Sequence, residues 1–160
     1  MNDLQKPEAL FVGIDQSYTG FGLVVLNEKG YCIEKSILKF PKMKTDGMRL
    51  ALINDTLWSK FGTYTHSSIS VKMAMEGYAY GKILNREKLG ELGGIVKLVW
   101  YLAGGSEPLV VAPTALKAYV TGNGRASKDE MLTAIQKLDP DITNHNLADA
   151  YGLAHMLYSM

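Results

Sequence analysis

Three acidic residues stand at places where a fold could hold a carboxylate rigidly. Asp15 ends an apolar run at 9–15, Glu76 follows a second apolar run at 69–75, and Asp149 lies in an apolar segment near the end of the chain. No Lys or Arg stands directly beside any of them. Carboxylates without a basic partner favour a bound cation, and oxygen ligands alone favour Mg²⁺ or Mn²⁺ over zinc. Two such ions about 4 Å apart can activate water and stabilise a leaving oxygen at a phosphodiester.

Each acid also has an ordinary structural explanation when it is taken alone. Asp is common in turns, which would account for Asp15. A helix dipole favours an acid near the start of a helix, which would account for Asp149. The metal hypothesis therefore requires a fold that brings the three side chains together.

The elements that would position these acids are predicted from the spacing of apolar residues. Five strands are predicted, at 9–15, 20–27, 31–38, 69–75 and 108–112. Helices are predicted at 47–61, from the late eighties to about 103, and at 113–120, 127–138 and 146–158. Gly62 is expected to end the first helix. The order β-β-β-α-β-α-β-α-α-α indicates an α/β domain with a mixed five-stranded sheet flanked by helices.

Three glycines, Gly90, Gly93 and Gly94, fall inside the second predicted helix. Glycine in a helix interior costs about 1 kcal/mol relative to alanine. Either these glycines permit a close helix–helix contact, for example with a second subunit, or the helix begins later, near Ile95.

Charge is distributed unevenly along the chain, although the formal net charge is only +1. Residues 81–128 carry seven basic and three acidic side chains, a net of +4, and residues 129–160 carry one basic and five acidic, a net of −4. This pattern suits a protein that attracts phosphates and also binds cations. The length of 160 residues and the 47% hydrophobic content fit one domain spanning 1–160.

Cysteine content and hydropathy indicate the compartment. Cys32 is the only cysteine, which excludes a disulfide within the chain and a cysteine-based zinc site, so a reducing interior is expected. The first eight residues do not resemble a signal peptide, and no apolar run approaches the ~20 residues of a membrane span. We therefore expect a cytoplasmic protein with no membrane association.

Two polar residues precede Asp149 by about one helical turn. Asn146 lies three residues before it and His145 four residues before it. At ~3.6 residues per turn, both lie close to the face of the helix that carries Asp149.

Four motifs occur in order over roughly residues 10–157. They are Val12-Gly-Ile-Asp15-Gln-Ser-Tyr-Thr-Gly-Phe-Gly, Met75-Glu76, Val111-Ala-Pro113-Thr-Ala-Leu-Lys117 with Gly122-Asn-Gly-Arg-Ala-Ser-Lys128, and Ala148-Asp149-Ala-Tyr-Gly-Leu-Ala. Together they resemble the RuvC family of Holliday-junction resolvases, which has the RNase H-like nuclease fold. The resemblance implies a homodimer that uses divalent metal to cut two opposed strands of a four-way DNA junction and leaves 5′-phosphates.

The resemblance also implies roles for individual residues in catalysis. Asp15, Glu76 and Asp149 match the family's catalytic acids and would hold two ions of Mg²⁺ or Mn²⁺. The fourth metal-binding position is usually Asp or His in the family, and here it is Asn146, which brings no charge; the adjacent His145 could serve instead. Lys117 matches a family lysine near the active site, where it would support the scissile phosphate.

Other residues are expected to contact DNA. Lys128 matches a basic family position at a helix start. Tyr78 and Tyr80 lie in a basic, glycine-bearing loop, where aromatic rings could stack on unpaired bases, although the family's aromatic position is Ala79 here. The remaining candidates are Lys82, Arg86, Lys88 and Arg125. For each basic residue the alternative is a solvated side chain.

The chain departs from the family at its first motif. Bacterial members carry a longer Asp-Pro-Gly turn, whereas Gln16 and Ser17 follow Asp15 here, and we expect the site geometry to differ at this turn. These variations and the compact chain resemble a phage-encoded member, which would act in the host cytoplasm. Three other functions stay open: a less selective nuclease for branched DNA or RNA, a catalytically weakened junction-binding protein, and an actin-like kinase or ATPase, which would need a second such domain.

Overall fold

The computed structural model describes residues 7–66, 69–77 and 86–160, with only the backbone described at Arg86. The elements follow in the predicted order. They are β1 (Ala9–Asp15), β2 (Phe21–Asn27), β3 (Cys32–Leu38), α1 (Asp46–Thr65), β4 (Ser70–Glu76), α2 (Arg86–Leu102), β5 (Leu109–Val111), α3 (Pro113–Thr121), α4 (Lys128–Gln136) and α5 (His145–Tyr158). Within those ranges, no helix is both long enough and apolar enough to cross a membrane.

The five strands form one mixed sheet in the order β3-β2-β1-β4-β5, which confirms the predicted fold class. β1 pairs antiparallel with β2 and parallel with β4. In the parallel pair Ile14 lies opposite Met75, so the next residues, Asp15 and Glu76, leave the sheet side by side at its carboxyl edge. Neighbouring strands are about 4.8 Å apart, and the pairing therefore brings two of the predicted acids together.

Helices cover both faces of the sheet. On one face α1 and α2 pack over Val12 and Ile14, in a core that includes Phe61 and Trp100. On the other face α5 lies across β1, β2 and β4, and α3 and α4 pack against α5. Because side chains alternate along a strand, Gly13 and Asp15 point to the α5 face.

Two glycines let the backbone of α5 lie directly on the sheet. A Cβ atom on Gly13 would stand 1.9 Å from the carbonyl oxygen of Ala150 and 2.6 Å from the amide nitrogen of Ala154. A Cβ atom on Gly22 would stand 2.4 Å from the carbonyl oxygen of Asn146. No side chain fits at either position without moving the helix.

The end of α1 differs from its prediction, and the structure decides between the two predicted starts of α2. α1 continues past Gly62 to Thr65, because Tyr64 in its last turn is buried and donates a hydrogen bond to Glu34. α2 includes all three glycines, so the alternative of a helix beginning near Ile95 is wrong. In α2, burial of apolar side chains outweighs the low helix propensity of glycine; the buried ones are Leu92, Val96, Val99 and Trp100.

Gly13→Ala should destabilise the protein by about 3 kcal/mol or more, because the new methyl group would overlap the backbone of α5. The measurement is the free energy of unfolding from urea titration. Gly47→Ala is the matched control, since a Cβ there meets only the Thr45 hydroxyl at 4.0 Å. Equal stabilities of the two variants would contradict the packing described.

Candidate active site

A cleft of about 490 Å³ opens at the carboxyl edge of the sheet, beside the start of α5. It is where the predicted acids meet. Polar and charged side chains supply much of its wall: Asp15, Gln16, Ser17, Glu76, Lys117, Lys128, Asn146 and Asp149. Gly77, Leu89, Pro113 and Met131 complete its lining.

Each acid is held by a different element. Asp15 is the last residue of β1 and Glu76 the last residue of β4, at adjacent positions of the parallel pair. Asp149 lies in the second turn of α5, three residues beyond Asn146, whose backbone rests over Gly22. The fold therefore aims three carboxylates from two strands and one helix into the same cleft.

The electrostatics show that these carboxylates repel one another. Burial, followed by the charges of Glu76 and Asp149, raises the pKa of Asp15 to about 8. Burial and then the charge of Asp149 raise the pKa of Glu76. Burial also raises the pKa of Asp149, against the opposing effect of Lys128 and Lys117. A cation in the cleft would relieve this repulsion.

The structure places Asn146, and not His145, at the cleft. Asn146 donates a hydrogen bond from Nδ2 to the backbone oxygen of Gly20 at 2.6 Å, which leaves its Oδ1 as the acceptor atom of the amide. His145 instead pairs through Nε2 with Asp129 Oδ1 at 2.9 Å, which ties α5 to α4. Asn144 caps α5 by accepting from the backbone amides of residues 146 and 147.

Two of the predicted basic residues line the cleft. Lys117 lies one turn after Pro113, the first residue of α3. Lys128 is the first residue of α4, directly after Ser127, which forms a capping box with Glu130. Neither lysine forms an ion pair with the three acids in the described part of the chain, so both stay available to an anionic ligand.

The other predicted DNA-contacting residues lie elsewhere. Lys88 and Arg125 are exposed and outside the lining of the cleft. Tyr78, Tyr80 and Lys82 fall outside the described residues, as does the side chain of Arg86. The functional roles of all these residues stay predictions.

Gln16 is the site residue that the sequence did not single out as functional. Only 9% of it is exposed, and its Nε2 donates to the backbone oxygen of Glu76 at 2.8 Å. It thus connects the ends of β1 and β4 inside the cleft. The signal was its position directly after Asp15, in the turn where the chain departs from the family.

The donor set fits a hard divalent cation. It consists of three carboxylates and the Asn146 amide, all oxygen ligands, in a cleft with no lining Cys or His among the described residues. As they stand, no three His, Cys, Asp or Glu side chains in the described ranges already surround one point as a metal site.

Comparison with curated proteins shows similarity to crossover junction endodeoxyribonucleases named RuvC. No protein-family model matches the chain. The crossover junction endodeoxyribonuclease RuvC of Christiangramia forsetii is 30% identical over 137 residues, which cover 82% of this chain and 68% of the relative. The chain belongs to the RuvC family. RuvC of Mycobacterium sp. strain KMS is 28% identical over 153 residues, covering 89% of this chain and 79% of that RuvC.

Solved RuvC structures share the fold. Thermus thermophilus RuvC superposes with a TM-score of 0.75 at 21% identity, over 94% of this chain and 95% of the other. The same RuvC in complex with a Holliday junction substrate gives a TM-score of 0.75 at 22% identity, over 94% of each chain. The predicted RNase H-like fold of the RuvC family is therefore confirmed.

The Asp15 carboxyl should destabilise the metal-free protein increasingly as the pH rises from about 4 to 8. Below pH 4 the Asp15 carboxyl is protonated in both the folded and the unfolded protein. Above pH 4 this carboxyl ionises in the unfolded chain, whereas in the folded protein it ionises only near its pKa of about 8. Its contribution to the free energy of unfolding should fall by a few kcal/mol over this range, since each tenfold difference in proton affinity between the two states corresponds to about 1.4 kcal/mol.

Asp15→Asn isolates this effect. Its free energy of unfolding in EDTA, minus that of wild type, should grow with pH over this range, and Mg²⁺ should reduce the difference. Asp55→Asn, on the exposed side of α1, is the matched control. A difference between Asp15→Asn and wild type that stays constant from pH 5 to pH 8 would show that Asp15 is not the buried acid described.

Proposed function

We propose that this RuvC-family protein resolves four-way DNA junctions as an endonuclease, by hydrolysing phosphodiester bonds in two opposed strands. The observation that carries the proposal is the convergence of Asp15, Glu76 and Asp149 in one cleft that two lysines border. The family relationship supports the same activity, since the relatives are named crossover junction endodeoxyribonucleases. A RuvC of the same fold has been solved with a Holliday junction substrate.

Mg²⁺ or Mn²⁺ is the proposed cofactor, with two ions per site. Asp15 would contribute to binding both ions, since Glu76 on the neighbouring strand and Asp149 on the helix above both act on its carboxyl electrostatically. Asn146 would contribute its amide oxygen as the uncharged fourth ligand. Bound cations would lower the pKa of a water molecule and stabilise negative charge on the phosphate.

The two lysines of the cleft, Lys117 and Lys128, would bind the phosphates of the DNA substrate. Lys117 and Lys128 are near enough to lower the pKa of Asp149 electrostatically, yet neither forms an ion pair with it. A phosphate entering the cleft would meet both ammonium groups. Lys117 would balance charge that develops at the scissile phosphate, and Lys128 would hold the adjacent backbone.

Contacts farther from the cleft would grip the arms of the junction. Lys88 and Arg125 are exposed and can reach backbone phosphates without disturbing any ion pair in the described ranges. We include Tyr78, Tyr80, Lys82 and Arg86 in this surface on the basis of sequence. The tyrosines would stack on unpaired bases at the junction centre.

A homodimer would supply the second active site for the opposed strand, and α2 offers the surface for it. Gly90, Gly94, Leu98 and Leu102 are spaced four residues apart, which places them along one ridge of the helix, and all four are exposed. Leu98 and Leu102 are 51% and 58% exposed, and Tyr101 beside them is 72% exposed. The glycines leave open space above the ridge, so a second α2 could approach closely.

Asp15→Asn should abolish cleavage of a labelled four-way junction in both Mg²⁺ and Mn²⁺, because it removes the central ligand. Junction affinity should be unchanged or tighter, since one negative charge near the DNA is lost. Lys117→Met should reduce the single-turnover cleavage rate by about 10²-fold.

Cleavage rates on a four-way junction, a flap and a linear duplex distinguish a junction resolvase from a less selective nuclease and from a binding protein. The proposal requires wild type to cut the four-way junction faster than a flap or a linear duplex. Equal rates on all three would indicate a less selective nuclease. Tight junction binding without cleavage in either metal would indicate a binding protein and sink the enzyme hypothesis.

Gly94→Glu should convert the dimer to a monomer, because it places a charged side chain on the proposed α2 ridge. The monomer should fold normally, since a Cβ there meets nothing within 4 Å and Glu is a better helix former than Gly. Sedimentation velocity gives the mass, and junction cleavage should change from paired cuts to single nicks. Gly47→Glu, at an exposed glycine of α1, is the control; a dimeric Gly94→Glu protein would exclude this interface.

A further inference from the structure

The side-chain oxygen of Gln16 is buried in the cleft without a hydrogen-bond partner. The residue is 9% exposed and lines the cleft with Asp15, Glu76 and Asp149. Its Nε2 donates to the backbone oxygen of Glu76 at 2.8 Å, whereas its Oε1 has no partner among the described residues.

The orientation of this amide is fixed by its neighbour. A backbone carbonyl can only accept hydrogen bonds, so the NH₂ group of Gln16 must face the oxygen of Glu76. Turning the amide over would set two oxygens against each other and satisfy neither. Oε1 therefore points away from Glu76 as an acceptor that nothing in the described protein uses.

A buried acceptor without a donor costs about 1–3 kcal/mol. Such a group in a native structure calls for an explanation, and a bound water or ion is a common one. With a cation bound, the nearby carboxylates are ionised and offer no donor. A water molecule bound in the cleft would supply the donor that the described residues lack.

We propose that Gln16 is a positioning residue whose Oε1 accepts a hydrogen bond from a water molecule carried by the divalent cation in the cleft. The inference rests on the proposed function. Mg²⁺ usually keeps several of its waters, and groups that orient ligands and waters around a metal tune its affinity. Because the same amide is anchored to the backbone of Glu76, Gln16 would fix that water relative to the end of β4.

The test compares the Mn²⁺ affinity of wild type with that of Gln16→Met, each measured by isothermal titration calorimetry on the metal-free protein. Methionine has a similar length but neither the donor nor the acceptor. Gln16→Met should weaken Mn²⁺ binding by about tenfold. Gln136→Met is the matched control, since Gln136 Nε2 donates to the backbone oxygen of Ile142 at 2.9 Å outside the cleft. It should lose comparable stability in EDTA and keep wild-type Mn²⁺ affinity.

A second variant keeps the inference open to contradiction if Gln16→Met does not fold. Gln16→Asn keeps both groups of the amide but shortens the side chain by one methylene, so its oxygen is withdrawn from the wild-type position and Mn²⁺ binding should weaken. Unchanged Mn²⁺ affinity in Gln16→Asn would overturn the inference. Wild-type affinity in a folded Gln16→Met protein would also overturn it while leaving the proposed function intact. Failure of wild type itself to bind Mn²⁺ would overturn the metal site and this inference together.

Discussion

The active-site cleft depends on the close approach of α5 to the first two strands. Gly13 and Gly22 present bare backbone to the helix, and the backbone atoms of Asn146, Ala150 and Ala154 occupy the space where Cβ atoms would stand. A helix held at ordinary side-chain distance would sit several ångströms higher, and Asp149 would rise with it. The relative positions of the three acids are therefore determined by the absence of side chains at Gly13 and Gly22 as well as by the strand register.

The packing places charge where it is unfavourable. The parallel register sets Asp15 beside Glu76, and α5 brings Asp149 above them. Burial raises the pKa of all three carboxyls, and repulsion from neighbouring carboxylates raises the pKa of Asp15 and Glu76 further. The unfavourable burial and repulsion of these carboxylates occur at the site of the proposed chemistry, as expected where a protein gives up stability for function. Stabilisation comes from elsewhere: the aromatic core under α1 and α2, and the caps of α4 and α5.

Sequence patterns predicted the elements of this fold well, because its strands are long apolar runs and α3 and α4 begin at a proline and a capping box. Sequence patterns could not predict the features that depend on strand register or on contacts between residues far apart in the chain. The adjacency of Asp15 and Glu76 follows from the register of two strands sixty residues apart, and the burial of Gln16 follows from a bond to the second of them. Likewise, local propensity suggested a helix end at Gly62, where the burial of Tyr64 decides otherwise.

The same packing explains why a neutral amide suits position 146, which lines the cleft beside Asp149. Gly20 and Gly22 bring the short turn so close to α5 that the side chain of Asn146 meets the backbone oxygen of Gly20, to which its Nδ2 donates. An ionised Asp would turn a carboxylate oxygen toward that carbonyl and repel it. The amide provides a donor for the turn and an acceptor for the cleft, which a carboxylate cannot do. The short turn after Asp15 and the amide at position 146 are therefore directly joined, and Asn146 suits both the turn and the cleft because it carries a donor as well as an acceptor.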